Sequence, residues 1–160
     1  MNQPIPFGFP NGRSLRVLLP GVLLALAFPA WASLGDNVTT VQSDKAHMKG
    51  SLRTTATPHY VKHEITTPSG QVVREFVSSD GNVFAVAWQG QFQPDLQQLL
   101  GSYFDPIKQA VATQQRRGHG PVSVETSGFV FRQAGNARNL HGSAYVPAML
   151  PPGVDVSEIQ

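Results

Sequence analysis

The chain of 160 residues contains no cysteine, so no disulfide can staple it, and no thiol is available as nucleophile, metal ligand or lipid attachment point. Charge is sparse as well, with Asp, Glu, Lys and Arg making up 14% of the residues and Arg116-Arg117 the only adjacent basic pair. That pair reads as a solvated helix end and linker. A clustered Lys/Arg surface of the kind that tracks a phosphate backbone is missing, and nucleic acid is not an expected partner. The sequence holds no phosphate-cradling glycine loop, no dinucleotide fingerprint and no strand-to-helix serine elbow, so no cofactor is expected. Internal repeats are absent.

A membrane-spanning run is also lacking. The apolar stretch at 17–28 (VLLPGVLLALAF) makes about 18 Å of helix at ~1.5 Å per residue, against ~30 Å of hydrocarbon, and Pro20 and Gly21 weaken it further. Arg13 and Arg16 precede it and Ala30-Trp31-Ala32 follows. A basic n-region, a short apolar h-region and a small-x-small site make residues 1–32 a cleavable signal peptide, cut between Ala32 and Ser33. With no paired arginines the route is of Sec type. The expectation is an exported protein, periplasmic or secreted, with no transmembrane segment once the leader is removed. The leader takes two of the twelve basic residues and none of the ten acids, which leaves residues 33–160 formally neutral.

What remains is the length of one domain with its own core. Residues 36–49 read as a short N-terminal helix with Asp36 as N-cap and Gly50 as terminator, and 51–58 as a Thr-rich extended linker. The core, about 59–150, opens with three β runs at 59–67, 71–78 and 82–88. At the first turn, Pro68-Ser69-Gly70, a three-residue loop with Gly70 left-handed sets Glu64 opposite Arg74 and His63 opposite Glu75. A two-residue loop would set Glu64 against Glu75, and like charges across a ladder repel. The three-residue register is therefore expected. The second turn, at Asp80-Gly81, leaves open which face receives Phe84, Val86 and Trp88.

Leu96, Leu99, Leu100, Tyr103, Ile107 and Val111 then form a helical stripe, with Pro94 suited to the first helical position and Asp105-Pro106 expected to split or kink the helix. Two further β runs, 122–133 and 137–146, meet at Gly135-Asn136. Pro147, Pro151 and Pro152 end regular structure before a short tail. The order predicts an α+β fold: a mostly antiparallel sheet of about five strands, a three-strand meander plus a C-terminal hairpin, with helices packed on one face.

The runs Tyr60-Val61-Lys62-His63-Glu64-Ile65, Val73-Arg74-Glu75-Phe76-Val77, Val83-Phe84-Ala85-Val86-Ala87-Trp88-Gln89-Gly90 and Pro94-Asp95-Leu96-Gln97-Gln98-Leu99-Leu100-Gly101-Ser102-Tyr103-Phe104 resemble an exported bacterial family, domain of unknown function 2844. His47-Met48-Lys49 and Ala144-Tyr145-Val146-Pro147 extend the resemblance across most of the chain. It implies a bacterial envelope or secreted location and a single domain, and brings no catalytic residue, cofactor or substrate.

Three groupings carry candidate chemistry. His59 and His63 lie four residues apart on an extended segment, about 13 Å at ~3.3 Å each, too far for one metal at ~2.1 Å. No metal site is expected there, and His47, His119 and His141 show no ligand spacing. His63 opposite Glu75, on a face shared with Val61, Ile65, Val73 and Val77, is the candidate general base pair for a small hydrolase or other acid–base enzyme, although no nucleophile accompanies it. Trp88 and Phe92, around Gly90 at the end of a strand, are the candidate binding aromatics, or else a core anchor. The expected function is a non-enzymatic envelope or periplasmic module that binds a partner protein or an envelope component. Its five β runs leave sheet edges that a partner strand can join.

Overall fold

The computed structural model describes residues 34–114 and 120–160. The expected signal peptide, its cleavage point at Ala32 and Ser33, Arg116-Arg117 and His119 lie outside the described residues.

Seven antiparallel strands form one sheet in the order β1-β2-β3-β4-β7-β6-β5. β1 (Ser51–Ala56), β2 (Val61–Thr66), β3 (Val72–Val77) and β4 (Val83–Gly90) make one meander. β5 (Val122–Glu125), β6 (Val130–Asn136) and β7 (Asn139–Tyr145) make a second, and it returns so that β7 lies beside β4. Between them come α2 (Leu96–Leu100) and α3 (Phe104–Thr113); α1 (Val41–His47), led by a 3-10 turn at Val38–Thr40, precedes the sheet.

The α+β class and the antiparallel sheet are as expected, and the count of five strands is corrected to seven. Residues 51–58 are not a linker but strand β1 and its turn, and the single run 122–133 is two strands. Both breaks use one device. Thr57 Oγ1 donates to the Tyr60 carbonyl and accepts the Tyr60 N–H at 3.0 Å, and Thr126 Oγ1 does the same with Phe129. A side-chain hydroxyl thus closes each turn where a Gly-Asn type signal would ordinarily be sought. The β6–β7 turn is Ala137-Arg138, two residues beyond the expected Gly135-Asn136, because Asn136 still pairs with Asn139. The first hairpin keeps the three-residue register, with Gly70 at φ 80° and Glu64 opposite Arg74 at 2.9 Å.

The helical stripe also breaks earlier than Pro106. Gly101, at φ 49° and ψ −123°, ends α2, while Pro106 sits in the first turn of α3, where a missing N–H costs no intrahelical bond. Asp95, not Pro94, begins α2, its carboxylate accepting the Gln98 N–H at 3.1 Å. The N-terminal helix is shorter than 36–49, since residues 34–37 run beside β4 instead: Gly35 donates to the Val83 carbonyl and Val83 to that of Asp36, both at 2.8 Å.

The sheet buries both faces. On the first, Val73, Val77, Val86, Trp88, Phe131 and Ala144 meet Leu99, Leu100 and Ile107 from the helices. On the second, Phe76, Phe84, Ala85, Ala87, Val130 and Tyr145 are covered by the C-terminal tail through Met149, Leu150, Val154 and Ile159. Helices therefore cover one face, as expected, and the tail covers part of the other. A bulge between Phe76 and Val77 settles the second hairpin: Val83, Val86 and Trp88 point to the helices, Phe84 and Ala85 to the tail. Tyr60 pins the tail by donating to Glu158 Oε2 at 2.7 Å, and Arg74 Nη1 donates to the Gln160 carbonyl at 3.1 Å.

Trp88 crosses to the neighbouring strand, where Gly142 stands opposite it. A Cβ at Gly142 would run into the indole ring and approach the Arg132 carbonyl oxygen to 2.8 Å. Gly142→Ala is therefore expected to destabilise the protein by about 1–3 kcal/mol through overpacking. Thermal melts of the variant check this; an unchanged midpoint would mean that the ring does not need the glycine.

Candidate functional site

His63 and Glu75 stand directly opposite each other on β2 and β3, as expected, and each also has another polar partner. His63 is half-buried, and its ring Nδ1 lies 3.0 Å from Thr54 Oγ1 on β1. Burial holds its pKa below the ordinary 6.5, so at neutral pH it presents no cation to Glu75. Glu75 is 1% exposed and turns instead toward the helices, where Asp44 of α1 is 0% exposed and Gln98 of α2 is 3% exposed. Gln98 Nε2 donates to Asp44 Oδ1.

Burial, then the negative charge of Asp44, then a side-chain hydrogen bond with Asp44 push the Glu75 pKa up to about 9. As a carboxylate Glu75 would be acceptor-only, and no donor among the described residues reaches either of its oxygens. A proton on Glu75 resolves this, because the neutral acid donates to the Asp44 carboxylate and the pair shares one charge instead of burying two. The Asp44–Glu75–Gln98 cluster thus ties α1, β3 and α2 together from inside the core. The sequence did not reveal Asp44 as the partner, since α1 carries no apolar stripe to show which face lies inward.

The candidate aromatics part company. Trp88 is 1% exposed, its ring 5.9 Å from that of Phe131, and it packs in the core between β4 and β6 while also bordering the groove described below. Phe92 is 63% exposed in the loop after β4, with its carbonyl accepting from Gln71 Nε2 at 2.9 Å. The two do not share a surface. His59 lies against Gly153 of the tail, and no group of three or more metal-ligating side chains occurs among the described residues.

A groove that the sequence did not suggest lies on the tail side of the sheet. It measures about 740 Å³ and runs along β4, β7, β6 and β5, with Val156, Ser157, Ile159 and Gln160 as one wall. Gln89, Ser123, Arg132, His141 and Ser143 line it from the strands. The alternation that sends Ala144, Phe131 and Val124 into the helix-side core sends these polar neighbours outward. Their spacing is the usual signature of a solvated strand face, so only the tail folding back beside them marks a concave site.

A family model described as "Protein of unknown function (DUF2844)" matches residues 30–159. The chain belongs to this family. No curated protein and no solved structure matches it. DUF2844 membership thus spans both meanders, the helices and the tail, and so includes the carboxyl cluster and the groove.

The carboxyl cluster makes a signed prediction. The folded pKa of Glu75, about 9, lies above its ordinary 4.5, so its contribution to stability is complete below pH 4.5 and is lost as pH rises to about 9. His63, with a lowered folded pKa, acts in the opposite direction only as pH falls below 6.5. Tyr60, pushed up to about 12 by Glu158, acts only above 10. Urea unfolding between pH 6.5 and 9 should show stability falling with pH in the native protein, and Glu75→Gln should flatten the slope. A native slope unchanged by Glu75→Gln would place the proton elsewhere.

Proposed function

We propose that this DUF2844 protein is an exported, non-enzymatic binding module, and that it takes its ligand in the groove between the C-terminal tail and strands β4, β7, β6 and β5. The observation that carries this reading is the groove itself, a concave surface of about 740 Å³ whose lining mixes apolar residues such as Val156 and Ile159 with the polar side chains of Gln89, Ser123, Arg132, His141 and Ser143. Small-molecule sites run from ~300 to ~1,000 Å³, and this one falls inside that span. The acid–base alternative finds less support, since Glu75 is 1% exposed and engaged with Asp44, out of reach of any substrate.

Export rests on the first 32 residues, whose basic, apolar and small-residue regions follow one another in the order a Sec-type leader requires. A periplasmic or secreted location and an envelope component as partner follow from that reading. No helix among the described residues is long and apolar enough to cross a membrane.

Two measurements test the proposal. Intact mass of the protein recovered from the envelope or medium of its bacterial host should correspond to a chain beginning at Ser33; retention of the leader in the cytoplasm would overturn export. A photo-crosslinking residue placed at Ser143 in the groove should give a discrete adduct in the host envelope, whereas one at the exposed Asp80 in the β3–β4 turn should not. Equal labelling at both positions would sink the groove as the binding surface.

A further inference from the structure

The strand registers place Ser123, Arg132, Ser143, Ala87, Arg74, Glu64 and Arg53 in one row across the tail side of the sheet. Of the three arginines in this row, Arg53 lies on the edge strand β1 and does not line the groove, and the other two have different fates. Arg74 is engaged by Glu64 at 2.9 Å and by the Gln160 carbonyl at 3.1 Å. Arg132 is exposed and meets no acidic side chain among the described residues. Between them, Ala87 is covered by the tail cluster that includes Ile159, and Ser143 is small, so the row dips beside Arg132 and forms the groove floor. In the next row Gln89 stands opposite His141, and both are exposed. None of the groove-lining residues is Asp or Glu.

The geometry points to an acidic saccharide as the ligand of this groove, a hydroxyl-rich chain bearing carboxylates, with Arg132 as the charge anchor. This deepens the binding reading above and rests on it. A guanidinium free of acidic neighbours offers a planar pair of N–H donors that matches a carboxylate, and a groove with no acid of its own does not compete for it. Gln89, Ser123 and Ser143 each both donate and accept, which suits hydroxyl groups of either polarity along a sugar chain. His141 adds a second nitrogen donor or acceptor at the far side of the floor.

The test uses the purified protein, amide NMR shifts and three probes: a galacturonic acid oligomer, an uncharged galactose oligomer of equal length, and an oligo-glutamate peptide. The uronate should shift the amides of Ser123, Arg132, His141 and Ser143, and added salt should weaken it. Arg132→Gln should lower its affinity about tenfold, Arg132→Lys should recover part of the loss, and Arg138→Gln, in the β6–β7 turn, should leave it unchanged. Equal binding of the uncharged oligomer at the same amides would overturn the charge anchor while keeping the groove as a binding site. Tighter binding of oligo-glutamate would replace the saccharide with a peptide. No shift with the uronate overturns the ligand class, and the Ser143 cross-link, which needs no knowledge of the ligand, separately decides whether the groove binds anything.

Discussion

The pairing of β4 with β7 is the contact on which the rest of the structure depends. It is the one ladder that joins the N-terminal meander to the C-terminal one, and six residue pairs from Ala85–Tyr145 to Gly90–Leu140 hold it in register. β4 reads as a continuous apolar run because both its faces are covered, by the helices on one side and the tail on the other. The pairing closes a loop of more than fifty residues, so it must be rewarded by burial on both faces before either meander gains a complete core. Trp88 over Gly142 supplies part of that reward at the seam itself, since removing the side chain from one strand lets the largest side chain of the other lie across it.

The first half of the fold was legible because its signals are local. Glu64, Arg74 and Glu75 fixed the first hairpin register by charge alone, and the leucine stripe from Leu96 to Val111 announced which helix face turns inward. β1 was not legible. It is an edge strand exposed along nearly its whole length, so it needs no apolar alternation, and its Thr-rich composition reads equally as linker. The split of β5 from β6 was hidden for a related reason: Thr126 closes the turn with its hydroxyl, and hydroxyl-closed turns carry no strong dipeptide signal.

The candidate sites divide along the same line. The opposition of His63 and Glu75 was readable from register, but Asp44, which decides the protonation of Glu75, comes from a seven-residue helix whose orientation is set by tertiary contacts. The fate of Trp88 depended on the bulge at Phe76/Val77, a one-residue event that reverses which side chains face the helices. The groove was least legible of all, because its polar residues are an ordinary outward strand face until the tail, 14 residues of proline-interrupted chain after Val146, folds back along them.

Core and groove place opposite demands on polar groups. Inside, two carboxyls are tolerable because one shared proton and the Gln98 amide N–H offset their charge, and burial keeps the cluster away from any ligand. Outside, Arg74 and Tyr60 use their polar ends to fasten the tail through Gln160 and Glu158, so they too are consumed by the fold. Arg132 differs from both. It lies in the same row as Arg74 and buries nothing, and among the described residues no acid claims it, so its charge does no work for stability. Among the groove-lining residues Arg132 is the one Lys or Arg, and its charge favours an anion over a neutral ligand there.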